Sequence, residues 1–403
     1  MTSNEDFFRE KRAAAVFKHG ILKRYPPVFA SKAGFKVKDH RVVFVDGYAG
    51  RGRYDDGSPG SPLLLAQAAD FVRKYRNVTG IFVEKNPLHY AHLTRLLAEE
   101  GRGLQHATLQ GDLGERLPEV LSQAREAALF VFLDPFGTAL DREQLGQILL
   151  RKDSAPTEVL LHFSVSAVAR LGPAVRQMRD QESPPAEDVK KIERLNRFLG
   201  GVWWQPYFAS VADAEDLGSA TDAALTVSDR YREIIENESG FGSVSMPVRP
   251  HPDNQPRYVL VLFTTHVEGK WHFADALGKS GMDWHEAWRN DIAARERRKR
   301  EAFGQTSIFD DEGEPPVFDR ARHQKDQEPK WIAAIENNLQ KLLAQHGTFR
   351  IADHVADVYG TTLGSAWIPH IRNAVKRLNG AGVIDNSGKG DFHLEMITRS
   401  KPS

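Results

Sequence analysis

Four carboxylates stand directly after short apolar runs, in an order that suggests one site. Asp46 follows Arg41–Val45 (RVVFV) and opens Asp46-Gly47-Tyr48-Ala49-Gly50. Glu84 follows Val78–Val83 (VTGIFV). Asp112 follows Gly111 and the short run Ala107–Gln110. Asp134 follows Ala128–Leu133 (ALFVFL) and begins Asp134-Pro135-Phe136-Gly137. Ligands of open α/β sheets collect at the carboxyl ends of strands, near the point where strand order reverses. A carboxylate ending the second strand can accept both hydroxyls of a ribose. One after the third strand can accept from an adenine amino group. Small residues at Gly47, Ala49 and Gly50 let a ligand approach the backbone. Each acid alone could be an ordinary strand-end cap. Their succession behind a glycine loop suits an adenosine-containing ligand.

The type of ligand is narrowed by what the loop lacks. Asp46–Arg51 is not GxGxxG, and no GxxxxGK[ST] phosphate loop is present, which argues against ATP or GTP hydrolysis. S-adenosylmethionine has no pyrophosphate and needs no phosphate cradle, and a carboxylate beside the loop suits its amino-acid end. The acid–Pro–aromatic run Asp134-Pro135-Phe136 has a use in the same chemistry. An exocyclic amine is a poor nucleophile because its lone pair is delocalised into the ring. Asp134 and a neighbouring carbonyl would accept its two N–H hydrogens and aim the lone pair at a methyl donor. Proline stiffens the turn, and Phe136 would stack on an extruded base. The alternative is a plain Pro-Gly turn closing a buried strand.

These residues require strands alternating with helices. Apolar runs at 41–45, 78–83, 107–110, 128–133, 158–164 and 258–264 read as strands, several of them buried on both faces. Helical patterns at 63–74, 86–100 and 117–127 lie between them, so a parallel α/β sheet is predicted. Residues 166–245 break the alternation and read as a mainly helical insertion, with Trp203-Trp204 and Tyr207-Phe208 as core or base-stacking rings. Residues 1–300 form the predicted first domain. A charged linker over 301–329 precedes a domain at 330–403. Its helices at 331–345, 350–359 and 367–379, followed by a turn-separated hairpin, match a winged-helix pattern.

Lys+Arg and Asp+Glu are both 54, so nucleic-acid contacts must come from local patches. The stretch to His40 carries nine Lys/Arg against four Asp/Glu, with Lys18 among them. Arg51 and Arg53 lie in the first loop. Arg372, Lys376 and Arg377 lie on the third helix of the tail, where DNA readers place base contacts. Cysteine is absent, which excludes disulfides, thiolate metal sites and a thiol nucleophile. No metal site is expected. No apolar run is long enough to span a membrane, and the charged amino terminus lacks a signal-peptide core, so a cytoplasmic protein is expected.

Phe44–Arg53 (FVDGYAGRGR), Glu84-Lys85-Asn86-Pro87, Gly111-Asp112, Leu133–Gly137 and Phe263-Thr264-Thr265-His266 together resemble the three-Cys-motif partner proteins. The helix start Ser61–Ala66 and the Gln305–Phe309 patch are also similar to this bacterial family. More distantly, the run resembles the enzymes that methylate adenine N6 in large-subunit ribosomal RNA. The resemblance implies a Rossmann-like class-I methyltransferase sheet with S-adenosylmethionine as cofactor. Asp46, Gly47 and Gly50 would line its methionine end, Glu84 its ribose and Asp112 its adenine. Asp134, Pro135 and Phe136 would form the catalytic turn, and Lys18 would lie in a segment that closes over the site. Phe136 stands where a second proline is expected, and Gly137 where the aromatic is expected. The readings are therefore an amino-nitrogen methyltransferase of nucleic acid, a partner subunit of a three-Cys-motif protein, or a DNA-binding accessory of a defence or mobile-element system.

Overall fold

The computed structural model describes residues 13–179, 185–209, 217–302 and 318–400. They divide into two compact units. One holds residues 22–269, and the other holds residues 13–21 with 270–400. No helix among the described residues is long and apolar enough to cross a membrane.

Helix α1 (Ala13–Ala33) precedes β1 (Arg41–Asp46). Then follow α2 (Ser61–Val72), β2 (Asn77–Glu84), α3 (Pro87–Glu100), β3 (Gln105–Gln110), α4 (Leu113–Gln123), β4 (Ala128–Leu133), α5 (Arg142–Leu149) and β5 (Thr157–Phe163). Five helices come next: α6 (Val165–Leu171), α7 (Ala174–Arg179), α8 (Ala186–Leu199), α9 (Pro206–Ala209) and α10 (Leu217–Ser239). Strands β6 (Gly242–Val248) and β7 (Tyr258–Thr264) close the sheet. The strand order is β3-β2-β1-β4-β5-β7-β6. Strands β1 to β5 are parallel, and β7 runs antiparallel between β5 and β6. The chain builds outward from β1 through β2 and β3, then restarts at β4 on the other side. The switch point therefore lies between β1 and β4. This is the doubly wound, Rossmann-like sheet expected from the alternation.

Every residue of β4 and β7 is buried, as mainly apolar strands in a two-layered cover should be. One face packs Val43, Val131, Leu145 and Val159 with the rings of Phe163, Phe198 and Tyr231. The other face stacks Phe44 and Phe130 with Tyr25 and Phe29 of α1. Trp204 and Phe208 are fully buried in the first core, so these rings of the insertion are packing residues. Strand β6 lies in the stretch expected to be helical. Its sequence, GSVSMPV, is polar and contains proline, a composition tolerated at a sheet edge.

A buried acid sits where β5 begins. Glu158 accepts from the Tyr25 hydroxyl at 2.6 Å and from Thr264 Oγ1 at 2.7 Å. Burial pushes its carboxyl up to about 7, against the opposing pull of the two hydroxyl donors. Each hydroxyl also has a second acceptor, the Gly269 carbonyl for Tyr25 and the His266 carbonyl for Thr264.

In the second unit, α11 (Val267–Ala302) is followed by α12 (Arg320–His346), β8 (Phe349–Arg350), α13 (Val355–Tyr359), α14 (Ile368–Gly380) and β9 (Met396–Ile397). Helix α12 starts ten residues before the expected boundary. Residues 320–329 are rich in Arg, Gln, Lys and Glu, strong helix formers that carry no apolar signal. Residues 303–317, including the Gln305–Phe309 patch, lie outside the described residues. The segment expected as a helix over 350–359 is a short strand, a 3₁₀ turn and a five-residue helix. Strand β8 pairs antiparallel with β9, and Ile384 bridges Arg399.

Candidate functional site

The first loop is pinned to both neighbours of β1. Gly47 N–H donates to the Phe132 carbonyl of β4 at 3.0 Å, and Ala49 N–H donates to the Val83 carbonyl of β2 at 2.9 Å. Asp46 is fully buried, and its Oδ1 accepts from Tyr48 N–H at 3.2 Å. A side chain at Gly47 would meet Leu133 at 2.9 Å and Leu113 at 3.1 Å. Both contacts are the ends of leucine side chains, so a Cβ there would need those side chains to give way. Gly50 has φ +63°, a left-handed turn that suits glycine.

Glu84 links that loop to the next helix. Its Oε2 accepts from Gly50 N–H at 2.7 Å, and its Oε1 accepts from Asn86 N–H at 2.6 Å. Each oxygen of an ionised carboxylate has two acceptor sites. Both oxygens thus retain capacity for a pair of hydroxyls. Asn86 then caps α3, accepting from Leu88 and His89 N–H. An Asn86→Ala substitution is expected to lower stability by about 1 kcal/mol, read by thermal unfolding.

Asp112 caps α4 in a capping box with Glu115, accepting from Gly114 N–H at 3.1 Å, and its Oδ2 lies 3.2 Å from Lys85 Nζ. Tyr48 lies in the same region, its hydroxyl 3.4 Å from the Ala139 carbonyl. Burial, then the charges of Asp112 and Asp141, hold that hydroxyl well above its ordinary pKa, so it stays protonated. Asp46, Glu84, Asp112 and the first loop thus line adjoining strand ends. Arg51 pairs with Asp55 at 2.5 Å and donates to the Arg53 carbonyl. Arg53 pairs with Glu100 and the Gly57 carbonyl. Both arginines brace the loop and its neighbour α3.

At the end of β4, Asp134 Oδ1 meets Nδ1 of His162 on β5. The His162 ring stands edge-on to Tyr258 at 4.2 Å and 90°. Tyr258 is the first residue of β7, and antiparallel insertion brings it to the carboxyl end of β5. Burial, followed by the charge of Asp134 and by Tyr54, holds the Tyr258 hydroxyl far above its ordinary pKa. Pro135 is buried, and Phe136 is 70% exposed. The turn therefore offers a fixed carboxylate beside an open aromatic face. His162 and Tyr258 were absent from the sequence-based site. The available signal was a histidine set between Leu161 and Phe163 near the end of a mostly apolar strand.

Lys18 is buried. Arg372 donates to the carbonyls of Gly388 and Gly390 and lies 4.4 Å from the Phe392 ring centre, so it holds the 388–390 turn. Lys376 and Arg377 are exposed on α14, and Arg377 lies 3.4 Å from Glu336.

The chain matches no family model and no curated relative. Among solved structures, it is similar to the O-methyltransferase TomG from Streptomyces achromogenes, involved in tomaymycin synthesis and solved in complex with SAM. The identity is 15% and the TM-score 0.30, over 60% of this chain and 79% of that one. It is also similar to the small RNA methyltransferase HEN1, at 10% identity and TM-score 0.30, over 60% of this chain and 26% of that one. The fold assignment rests on the strand order of the sheet itself.

Proposed function

We propose that this chain is an S-adenosylmethionine-dependent methyltransferase acting on an amino nitrogen of nucleic acid, most directly adenine N6. The observation that carries the reading is the Asp134 carboxylate, in contact with His162 and close in the chain to exposed Phe136, at the switch-point side of the sheet. The residues present fit the cofactor. Glu84 has acceptor capacity for a ribose, Asp112 lies at the next strand end, and the Asp46–Gly50 loop stands beside both. The cofactor would supply a methyl group activated on a sulfonium. Asp134 would accept an N–H of the acceptor amine and take up the proton released when nitrogen is substituted. Phe136 would hold the base by its face, and buried Pro135 keeps the turn rigid.

Cofactor binding is tested by calorimetry with S-adenosylhomocysteine. Wild type is expected to bind, and Glu84→Ala to weaken binding by about 1–3 kcal/mol, the scale of hydrogen bonds to a charged group. No binding to folded wild type at millimolar ligand would sink the assignment.

The motif departure at Phe136 and Gly137 favours one second reading, a partner subunit of a three-Cys-motif protein. Cofactor binding without transfer to any nucleic acid, together with co-purification of that neighbour, would support it. The β8–β9 pairing and the Ile384–Arg399 bridge support a winged-helix reading of the tail, with Lys376 and Arg377 as its DNA-facing cations.

A further inference from the structure

The edge of the sheet where the strands begin carries open aromatic rings inside a cluster of cations. Phe35, in the turn before β1, is 70% exposed. Phe71, in the last turn of α2, is 73% exposed, and Tyr75 just beyond it is 45% exposed. The Arg76 guanidinium lies 6.0 Å from the Phe35 ring centre and 5.1 Å from that of Tyr75. It also donates to the carbonyls of Ala30 and Ser31, so it is anchored to α1. One face of Phe35 stacks on His40 at 6.0 Å and 12°. The Tyr75 hydroxyl lies 3.3 Å from Ser31 Oγ. Phe35 and Tyr75 are thus held in place by specific partners.

The chain as a whole is balanced in charge, but this edge is not. Residues 31–41 and 70–77 contain seven Lys/Arg and two Asp. Asp70 is engaged by Arg73 at 3.2 Å and Arg102 at 3.6 Å, and Lys32 by Glu268 at 2.9 Å. Lys36, Lys38 and Lys74 are exposed. Nearby His266 responds to this surplus. Burial first, and then Lys36, hold its pKa below the ordinary value, with Glu268 opposing.

A partner for this edge must satisfy ring faces and cations together. An acidic peptide would use only the cations. A lipid surface needs an apolar face that can bury into the acyl boundary, whereas Phe35 and Tyr75 are flanked by Arg76 and by His40 or Ser31. A single-stranded nucleic acid uses both, because every base offers a π face and every linkage a negative charge. We infer that this edge binds single-stranded nucleic acid, with bases stacked on Phe35, Phe71 and Tyr75 and phosphates met by Lys36 and Lys74. The surface lies at the opposite ends of the strands from Asp134, so it would anchor a strand away from the reacting base.

The test is fluorescence anisotropy with a labelled dodecamer of uridylate. Uridine has no exocyclic amine, so this binding is read apart from cofactor use and methyl transfer, and failure of either leaves the other interpretable. Wild type is expected to bind, with log K falling against log salt by about 0.7 per phosphate contact. Phe35→Ala with Tyr75→Ala should weaken binding at least about 10-fold, given stacking of roughly 1–3 kcal/mol per base. Phe35→Tyr with Tyr75→Phe keeps the ring faces and should restore it. Lys36→Gln with Lys74→Gln should reduce the salt slope by about 1.4. No wild-type binding at about 50 mM salt, or full affinity in the double alanine variant, would overturn the inference. Loss of binding to anionic vesicles or polyglutamate in these variants, with uridylate binding intact, would overturn it as well.

Discussion

Replacing Asp134 by alanine is expected to cut methyl transfer at least about 100-fold, the usual scale for one preorganised polar group. Cofactor affinity should change far less, because Glu84 and Asp112 stand at other strand ends. Asparagine keeps the shape and one acceptor oxygen but loses the charge, so Asp134→Asn should fall between wild type and Asp134→Ala. His162 acts one step behind. It lies against Asp134 Oδ1, which makes it a candidate positioning residue. His162→Ala should cost less than Asp134→Ala, because it loosens the carboxylate without removing it. Asparagine can place an N–H near the former Nδ1 position, so His162→Asn should recover much of that loss. The measurement is single-turnover transfer to adenine-containing RNA and DNA, beside a binding titration on the same proteins. If Asp134 only closes a turn, Asp134→Ala would lower stability by about 1 kcal/mol and leave transfer intact. Full activity in that variant would refute the role.

The second large effect concerns stability and pH. Glu158 has its carboxyl raised from an ordinary value near 4.5 to about 7 by burial. The folded protein therefore holds a proton that the unfolded chain releases. Stability from this group is fully present below pH 4.5 and is lost as pH rises through about 7. At about 1.4 kcal/mol for each tenfold, the loss by pH 8 is about 3 kcal/mol. Glu158→Gln remains neutral throughout. Either hydroxyl can turn its hydrogen to its second carbonyl, Gly269 or His266, and accept from the amide instead. The variant should thus match wild type near pH 5 and exceed it near pH 8. Urea unfolding of both proteins over this range gives the difference curve. Histidines whose pKa is lowered by burial, such as His285 and His370, contribute with the opposite sign and cancel in that difference. Parallel curves for the two proteins would rule out the linkage.

The strand-end acids were legible because each closes or closely follows a short strand-like run and three of them stand beside glycine or proline in a turn. Asp46, Glu84, Asp112 and Asp134 all lie at the sheet end where that logic put them. Their partners were harder to find. His162 sits next to last in β5, and its neighbour Tyr258 is brought against it only by the antiparallel pairing of β7. Glu158 gave no local sign of burial, because its partners Tyr25 and Thr264 lie 133 and 106 residues away. Strand β6 was hidden by its edge composition. The early start of α12 was hidden because charged residues form helices without an apolar stripe. Arg51, Arg53 and Arg372 read in sequence as candidate nucleic-acid contacts, and the partners of their guanidinium groups, nearby acids and carbonyls, were not legible there.

The antiparallel insertion of β7 has a consequence for the order in which the protein is made. By Phe163, a chain emerging from the ribosome contains β1 to β5 and the residues around Glu84 and Asp134. It still lacks Tyr258 against His162 and Thr264 against Glu158. Those partners arrive about 100 residues later, roughly 5–20 s at ordinary rates of synthesis, and must then slot between an existing strand and a new edge. Pairing over such separations is slow because loop closure precedes its reward. The strand ends that would receive the cofactor are therefore synthesised well before the Tyr258 that backs His162, and the part of that same sheet end beside Asp134 is the last to be finished.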